Sequence, residues 1–266
     1  MELTKELILR KVKTYGKLKR YLRMFKNEDL RMYFDSHLYR NLLIEDDMGA
    51  SLYTFPVGAE LERYSDTGVI DMNAGLLSLK PTEGDPAALK EGTGETPSAT
   101  TQLQAVFGAE EWSFVGVFLN VDGGGAATAI LDITDGSTAY FRLAVSDANL
   151  LTIEHTGNYG LEDQVDHVSD AYDLADGDAV YVFVTVRDGQ IMGYINGALV
   201  LDEAYSGFTI SPVLFLMGGN LASMSLDVPC TVDVGLFAFY SCALTEVDKQ
   251  RYDGLVATLY PDIELS

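Results

Sequence analysis

The sequence predicts a mainly β protein, a two-sheet antiparallel sandwich with an N-terminal α-helical arm and a short C-terminal helix. Three observations carry that expectation. Asp135–Gly136, Asp188–Gly189 and Asn196–Gly197 separate short runs rich in Val, Ile, Phe and Tyr; such pairs mark hairpin turns because their backbones tolerate positive φ. Twenty-five glycines stand against seven prolines, which suits many tight turns between short elements. The apolar period also changes near residue 65, from a helical repeat to runs separated by turns.

Residues 2–26 carry the helical repeat. Leu3, Leu7, Ile8, Tyr15, Leu18, Leu22 and Phe25 share one broad face, with Lys13, Lys17 and Arg20 opposite, although Lys11 and Lys26 intrude on it and Gly16 weakens the middle. Asn27 is placed to cap a second helix, with Glu28 and Asp29 in its first turn. Leu30, Tyr33, Phe34, Leu38 and Leu42 continue the stripe to about residue 43. Leu76–Leu79 is a short apolar run, and the Gly-, Pro-, Ser- and Thr-rich stretch 82–101 reads as a long exposed loop. Strands follow at Trp112–Val121, Ala129–Thr134, Ser137–Val145, Leu150–His155, Ala179–Val186, Ile191–Ile195, Ala198–Leu201, Val213–Met217 and Thr231–Tyr240. Thr245 caps a closing helix that runs to about Leu259. Many short strands with few helices favour two packed sheets. The expected division is a basic helical anchor arm at 1–45 and a sandwich domain at 46–266.

Charge supports that division. The 266 residues carry 18 basic and 40 acidic side chains, a net charge of −22. Residues 1–40 alone are +6 and the remainder −28, so a basic arm joins an acidic body. The acidic total argues against a nucleic-acid partner, since phosphates are repelled by most of the surface. Hydrophobic residues at 47% supply a real core. Cys230 and Cys242 do not form a disulfide framework, and whether they meet stays open. The N-terminus is charged and lacks the apolar run of a signal peptide. The longest charge-free stretch, Ala204–Leu226, contains Pro212, Gly207, Gly218 and Gly219, so it reads as strand–turn–strand rather than a membrane span.

Three segments carry a family resemblance. The Trp112 strand leads into the Asp122–Gly125 turn and a short strand at Ala129–Asp132. VYVFVTVRDGQIMGYINGALVL spans Val180–Leu201, and VDVGLFAFYSCALTE spans Val232–Glu246. In this order they resemble the concanavalin A-like jelly-roll superfamily in its laminin-G-like or pentraxin-like form, although the Trp-His-His run often found before the central hairpin is replaced by Asp178–Tyr181. The resemblance implies a jelly-roll sandwich; it does not imply an activity, because this fold hosts lectins, glycosidases, adhesion modules and virion parts.

Glycoside hydrolysis needs two carboxylates about 5–9 Å apart across a cleft. Asp233 stands alone on its strand, and adjacent Glu110 and Glu111 point to opposite faces. No G-x-S-x-G elbow, P-loop or G-x-G-x-x-G occurs, and His37, His155 and His167 are the only histidines. No catalytic residue is therefore expected. Asp163, Asp166, Asp170 and Asp173, with Glu162, Asp176 and Asp178, crowd one expected loop before the central hairpin. That cluster reads first as a solvated acidic face, with Ca²⁺ ligation as the alternative and no other cofactor implied. Asp122, Asp132 and Asp135 form a second, weaker set. Tyr159, Tyr172 and Tyr205 lie in loop-like segments and are the candidates for a glycan-stacking platform, against ordinary packing. Trp112, Phe114 and Phe118 alternate on a strand and read as core.

The amphipathic basic arm, with Leu7, Tyr15, Leu18, Leu22, Phe25, Lys13, Lys17 and Arg20, is expected to dock onto another protein rather than on a membrane. A helical anchor, a Thr/Gly/Pro/Glu-rich loop and a jelly roll without catalytic carboxylates together resemble phage virion accessory proteins. The leading expectation is a non-enzymatic virion structural protein, a head decoration, head fibre or tail-associated adhesin. It would be made in a host cytoplasm, oligomeric, and bound to capsid or tail proteins through the arm. The alternative is a free carbohydrate-binding or adhesion module, with or without calcium. A glycoside hydrolase is the third reading and lacks its acid pair.

Overall fold

The computed structural model describes residues 29–36, 44–46, 49–54, 59–64, 69–73, 76–82, 87–91, 99–134, 139–157, 165–174, 178–205, 214–222 and 225–266. In chain order the elements are β1 (Leu30–Asp35), β2 (Ile44–Asp46), β3 (Gly49–Thr54), β4 (Ala59–Arg63), β5 (Val69–Asn73), β6 (Leu76–Lys80), β7 (Leu89–Glu91) and helix α1 (Ala99–Phe107). Then come β8 (Trp112–Asp122), β9 (Thr128–Thr134), β10 (Ala139–Val145), β11 (Leu150–Gly157), β12 (Val165–Val168), β13 (Tyr172–Asp173), β14 (Val180–Arg187), β15 (Gln190–Ile195) and β16 (Ala198–Ala204). The chain closes with β17 (Leu214–Met217), β18 (Gly219–Ala222), β19 (Ser225–Pro229), β20 (Thr231–Tyr240) and helix α2 (Glu246–Leu259).

Two antiparallel sheets form the sandwich. An eight-stranded sheet runs β16-β15-β14-β8-β20-β6-β5, with β1 also paired to β20. A ten-stranded sheet runs β12-β11-β10-β9-β17-β7-β4-β3-β2, with β13 also paired to β11, and β18–β19 form a separate ribbon. Alternation puts every second side chain of each sheet into the space between them. There Trp112 and Phe114 of one sheet meet Phe141 of the other, with ring centroids 5.7 and 5.1 Å apart. The hairpin turns follow their sequence signals: Asp188, Gly189, Asn196 and Gly197 all have φ between 49° and 87°, the backbone that a two-residue I′ turn requires.

A β-bulge sets the phase of β20. Its register against β8 shifts between Val234 and Leu236, so Val232 and Val234 face inward before the shift and Phe237 and Phe239 after it. Leu236, Ala238 and Tyr240 therefore face outward, where they join Val115, Val117, Tyr181 and Phe183 in a second apolar cluster. Helix α2 covers that face through Tyr252 and Val256, and Tyr260 and Ile263 follow it. Gly235 sits at the bulge because a Cβ there would lie 2.7 Å from the Tyr260 ring. Thr245 caps α2 in a reciprocal box: its hydroxyl accepts from the Asp248 N–H, and the Asp248 carboxylate accepts from the Thr245 N–H at 3.0 Å.

Three expectations are corrected. The second arm helix is not formed over Leu30–Asp35, which is strand β1, paired with Leu236–Tyr240. Met32 and Phe34 enter the inner core while Leu30 and Tyr33 join the outer cluster. A short apolar run buried on two faces fits both periods, and the open edge of β20 decides between them. The stretch 82–101 is not wholly an exposed loop, because Ala87, Ala88 and Leu89 are buried, β7 pairs with β17 and β4, and α1 starts at Ala99. Ala99, Leu103, Val106 and Phe107 give α1 one buried face, a helical spacing that the surrounding Gly and Pro content obscured. The acidic segment before the central hairpin is not one loop: it contains β12 and β13, both paired with β11. Cys230 is buried, Cys242 half-buried, and both are free thiols, with burial pushing the Cys230 thiol up to about 12. The first arm helix and the anchor residues Leu7, Lys13, Tyr15, Lys17, Leu18, Arg20, Leu22 and Phe25 lie outside the described residues.

Candidate functional site

Strand register lays the ten-stranded sheet out as rows. One inward row reads Phe215, Ile133, Phe141, His155, His167. Its two histidines end in an aromatic seam where β12 approaches β16 of the opposite sheet. His155 stacks on Trp112 at 5.2 Å, with the Tyr205 ring 5.5 Å away. Burial, and secondarily the neighbouring His167, lowers the pKa of His155 to about 3, so the ring is neutral in the folded protein. His167 Nδ1 lies 2.7 Å from the Glu203 carboxylate, and the Asp170 N–H donates to the Val200 carbonyl at 2.8 Å. The seam is interior structure that ties two sheet edges together.

The adjacent outward row is different in kind. It reads Glu62, Lys90, Leu216, Asp132, Arg142, Glu154, Val168 across seven strands. Directly opposed residues of antiparallel strands share a face, so five charges alternate along one line. Lys90 Nζ and Glu62 Oε1 are 3.1 Å apart. Arg142 donates from Nη2 to Asp132 Oδ2 at 3.0 Å, while its Nη1 stands 3.9 Å from Glu154 Oε2. Asp132 and Leu216, in the middle of the row, are fully buried, but the Arg142 and Glu154 side chains keep 26% and 34% of their exposure. Thr152 donates its hydroxyl to Glu154 Oε1 at 3.3 Å, and Val168 at the end of the row is 49% exposed. The shoulder formed by β10, β11 and β12 thus combines a charged donor fork, a carboxylate, a hydroxyl and an exposed apolar side chain. Such a set can hydrogen-bond hydroxyl groups and pack on an aliphatic face.

The residues singled out from the sequence distribute otherwise. Tyr205 is corrected as a stacking platform: it is 7% exposed, with its hydroxyl 3.4 Å from the Trp112 indole nitrogen, which donates to it. The Tyr172 hydroxyl accepts from Asn196 Nδ2 at 3.0 Å, which fixes a half-buried ring beside the Asn196–Gly197 turn. Tyr159 and Asp163 lie outside the described residues, and of Asp166 only the backbone, in β12, is described. Asp170 and Asp173 are exposed, and among the described residues no three His, Cys, Asp or Glu side chains converge as metal ligands. Asp233 is buried, accepting from Ser78 Oγ and from Asn120 Nδ2, the latter at 2.6 Å. Asp122 turns back to accept from the Gly124 N–H at 2.7 Å, far in role from Asp132.

The charged row was missed at the sequence level, yet a signal for it exists. Ile130–Thr134, Tyr140–Val145 and Leu151–His155 each carry one charged residue, Asp132, Arg142 or Glu154, between apolar neighbours. One charge at an outward position in each of three successive strands is a cross-strand row in waiting.

No protein-family model matches the chain, and no curated protein matches it. Solved structures do share its fold. The binding domain of botulinum neurotoxin DC in complex with SialylT superposes with a TM-score of 0.61 at 14% identity, covering 86% of this chain and 52% of that one. The botulinum neurotoxin serotype C1 binding domain gives 0.60 at 12% identity, over 88% and 53%. A botulinum neurotoxin type C structure, from a toxin whose cell entry is described as dependent upon interaction with two ganglioside molecules, gives 0.59 at 13% identity, over 88% and 52%. The chain spans about half the length of these neighbours. At such identities the likeness is one of fold.

Proposed function

We propose that the chain is a non-catalytic carbohydrate-binding module that presents the outward face of its ten-stranded sheet to a glycan. The observation that carries this reading is the half-exposed shoulder of Arg142, Glu154, Thr152 and Val168. Sugars are recognised by planar polar side chains that bond hydroxyls, combined with apolar surface against ring C–H groups. The shared fold adds support: the neighbouring toxin domains include one in complex with SialylT and one from a toxin dependent on gangliosides. A non-enzymatic role suits the site residues, because Asp233 is held by Ser78 and Asn120 and Asp132 is engaged by Arg142. Attachment to a virion through residues 1–45 gains no support from these neighbours. A glycan array probed with the full chain tests the reading. Binding of a defined set of oligosaccharides, reduced when Glu154 is changed, is the expected result; a blank array, or hydrolysis of the bound sugars, contradicts it.

A further inference from the structure

We infer that the Arg142–Glu154 gap is a hydroxyl-binding site that selects uncharged glycans over sialylated ones, a deepening of the glycan-binding reading on which it rests. The two ion pairs of the outward row differ in a way that matters. Lys90 and Glu62 close directly at 3.1 Å, which leaves nothing between them. Arg142 Nη1 and Glu154 Oε2 stand 3.9 Å apart, beyond the reach of a direct hydrogen bond. A single hydroxyl oxygen placed beside both can accept from the guanidinium and donate to the carboxylate, because a hydroxyl is at once donor and acceptor. The donor for this is Arg142 Nη1, on the Glu154 side; Nη2 is held by Asp132, and Nε is buried away from solvent. Glu154 Oε1 accepts the long Thr152 contact at 3.3 Å, and Oε2 is the oxygen nearer Arg142, 3.9 Å from Nη1.

An anionic sugar fits this place poorly. A sialic acid carboxylate has no proton to give Glu154, and it would meet Arg142 already flanked by the Asp132 and Glu154 carboxylates. The net charge of −22 opposes its approach further. The exposed Val168 side chain at the end of the row supplies apolar surface for the ring of a neutral sugar. The chemical class assigned to this site is therefore a neutral oligosaccharide. This separates the chain from its structural neighbour solved with SialylT.

The test uses a panel of neutral oligosaccharides, each paired with its sialylated counterpart, on the wild-type chain and on Glu154→Gln. Arg142→Lys is the obvious second variant but puts the buried Asp132 at risk, whereas Glu154→Gln keeps the shape of a half-exposed side chain and is checked by its melting curve. The inference expects each neutral member to bind at least tenfold tighter than its sialylated pair, and Glu154→Gln to lose tenfold or more on the neutral members. Sialylated members that bind as well as or better than their pairs overturn the charge selection while leaving the glycan-binding reading intact. Neutral binding unchanged in Glu154→Gln overturns the site. No binding to any member overturns the glycan-binding reading and this inference with it.

Discussion

On the eight-stranded sheet the outward rows carry Tyr181, Val117, Leu236 and Ala238, and α2 lies over them with Tyr252 and Val256. On the ten-stranded sheet an equivalent row carries Glu62, Lys90, Asp132, Arg142 and Glu154, with half-exposed heads at its ends. Both faces are built by the same alternation of side chains. What differs is the residue type at the outward positions, which decides whether a face must be covered. Apolar outward positions demand a third layer, and α2 supplies it. Charged ones hold their own ion pairs and leave polar atoms available. The covering of the charged face is uneven: Leu216 and Asp132 in the middle of its row are fully buried, and exposure begins at Arg142, Glu154 and Val168 on β10, β11 and β12.

The sharpest way to break this comparison is to remove one charge from the row. Arg142→Ala removes the guanidinium that pairs with the fully buried Asp132 carboxylate, and stability should fall by about 3–5 kcal/mol in urea unfolding. Glu154→Gln, on the exposed side of the same arginine, should cost less than about 1 kcal/mol. Equal effects would show that the row is not graded from buried to exposed.

The inward seam adds a pH dependence on the acid side. The folded-state pKa of His155 is depressed to about 3 from an ordinary value of 6.5, so the unfolded chain binds this proton more readily. The seam is therefore unaffected above pH 6.5 and loses stability as pH falls from 6.5 toward 3, by about 2–3 kcal/mol at pH 4.5. His155→Phe should flatten that slope in melting curves taken across the window; an unchanged slope would place the acid sensitivity elsewhere.

How much of this was legible in the sequence depends on how far each residue's partner lies along the chain. The hairpins at Asp188–Gly189 and Asn196–Gly197, the core role of Trp112, Phe114 and Phe118, and the Thr245 cap rest on neighbours a few residues away. The apolar period at Leu30–Phe34 fits a helix in the sequence, and its fate as β1 depends on an edge of β20 some two hundred residues later. For Tyr205 the sequence leaves stacking platform and ordinary packing both open, because its burial against Trp112 and His155 comes from the seam between sheets. The charged row is illegible for a further reason: the sequence groups Asp132 with Asp122 and Asp135, and it joins Arg142 and Glu154 in a line only once the register of three strands is fixed.

Two smaller effects sharpen the roofed side of the comparison. Gly235→Ala brings a methyl to within 2.7 Å of the Tyr260 ring and should cost about 1–3 kcal/mol, with loosening of the segment after α2 visible as faster amide exchange near Tyr260. Thr245→Ala removes one half of the α2 capping box and should cost about 1 kcal/mol, seen as a modest drop in Tm. If both changes were silent, α2 would not be the roof that closes the eight-stranded sheet.

The most direct test of the account is to locate the glycan on the protein by amide chemical-shift mapping during titration with a neutral oligosaccharide. The account predicts shifts concentrated at Arg142, Thr152, Glu154 and Val168 on β10, β11 and β12, with the residues around Tyr181 and Tyr252 unmoved. Shifts centred on the α2 side, with β10–β12 silent, would contradict it.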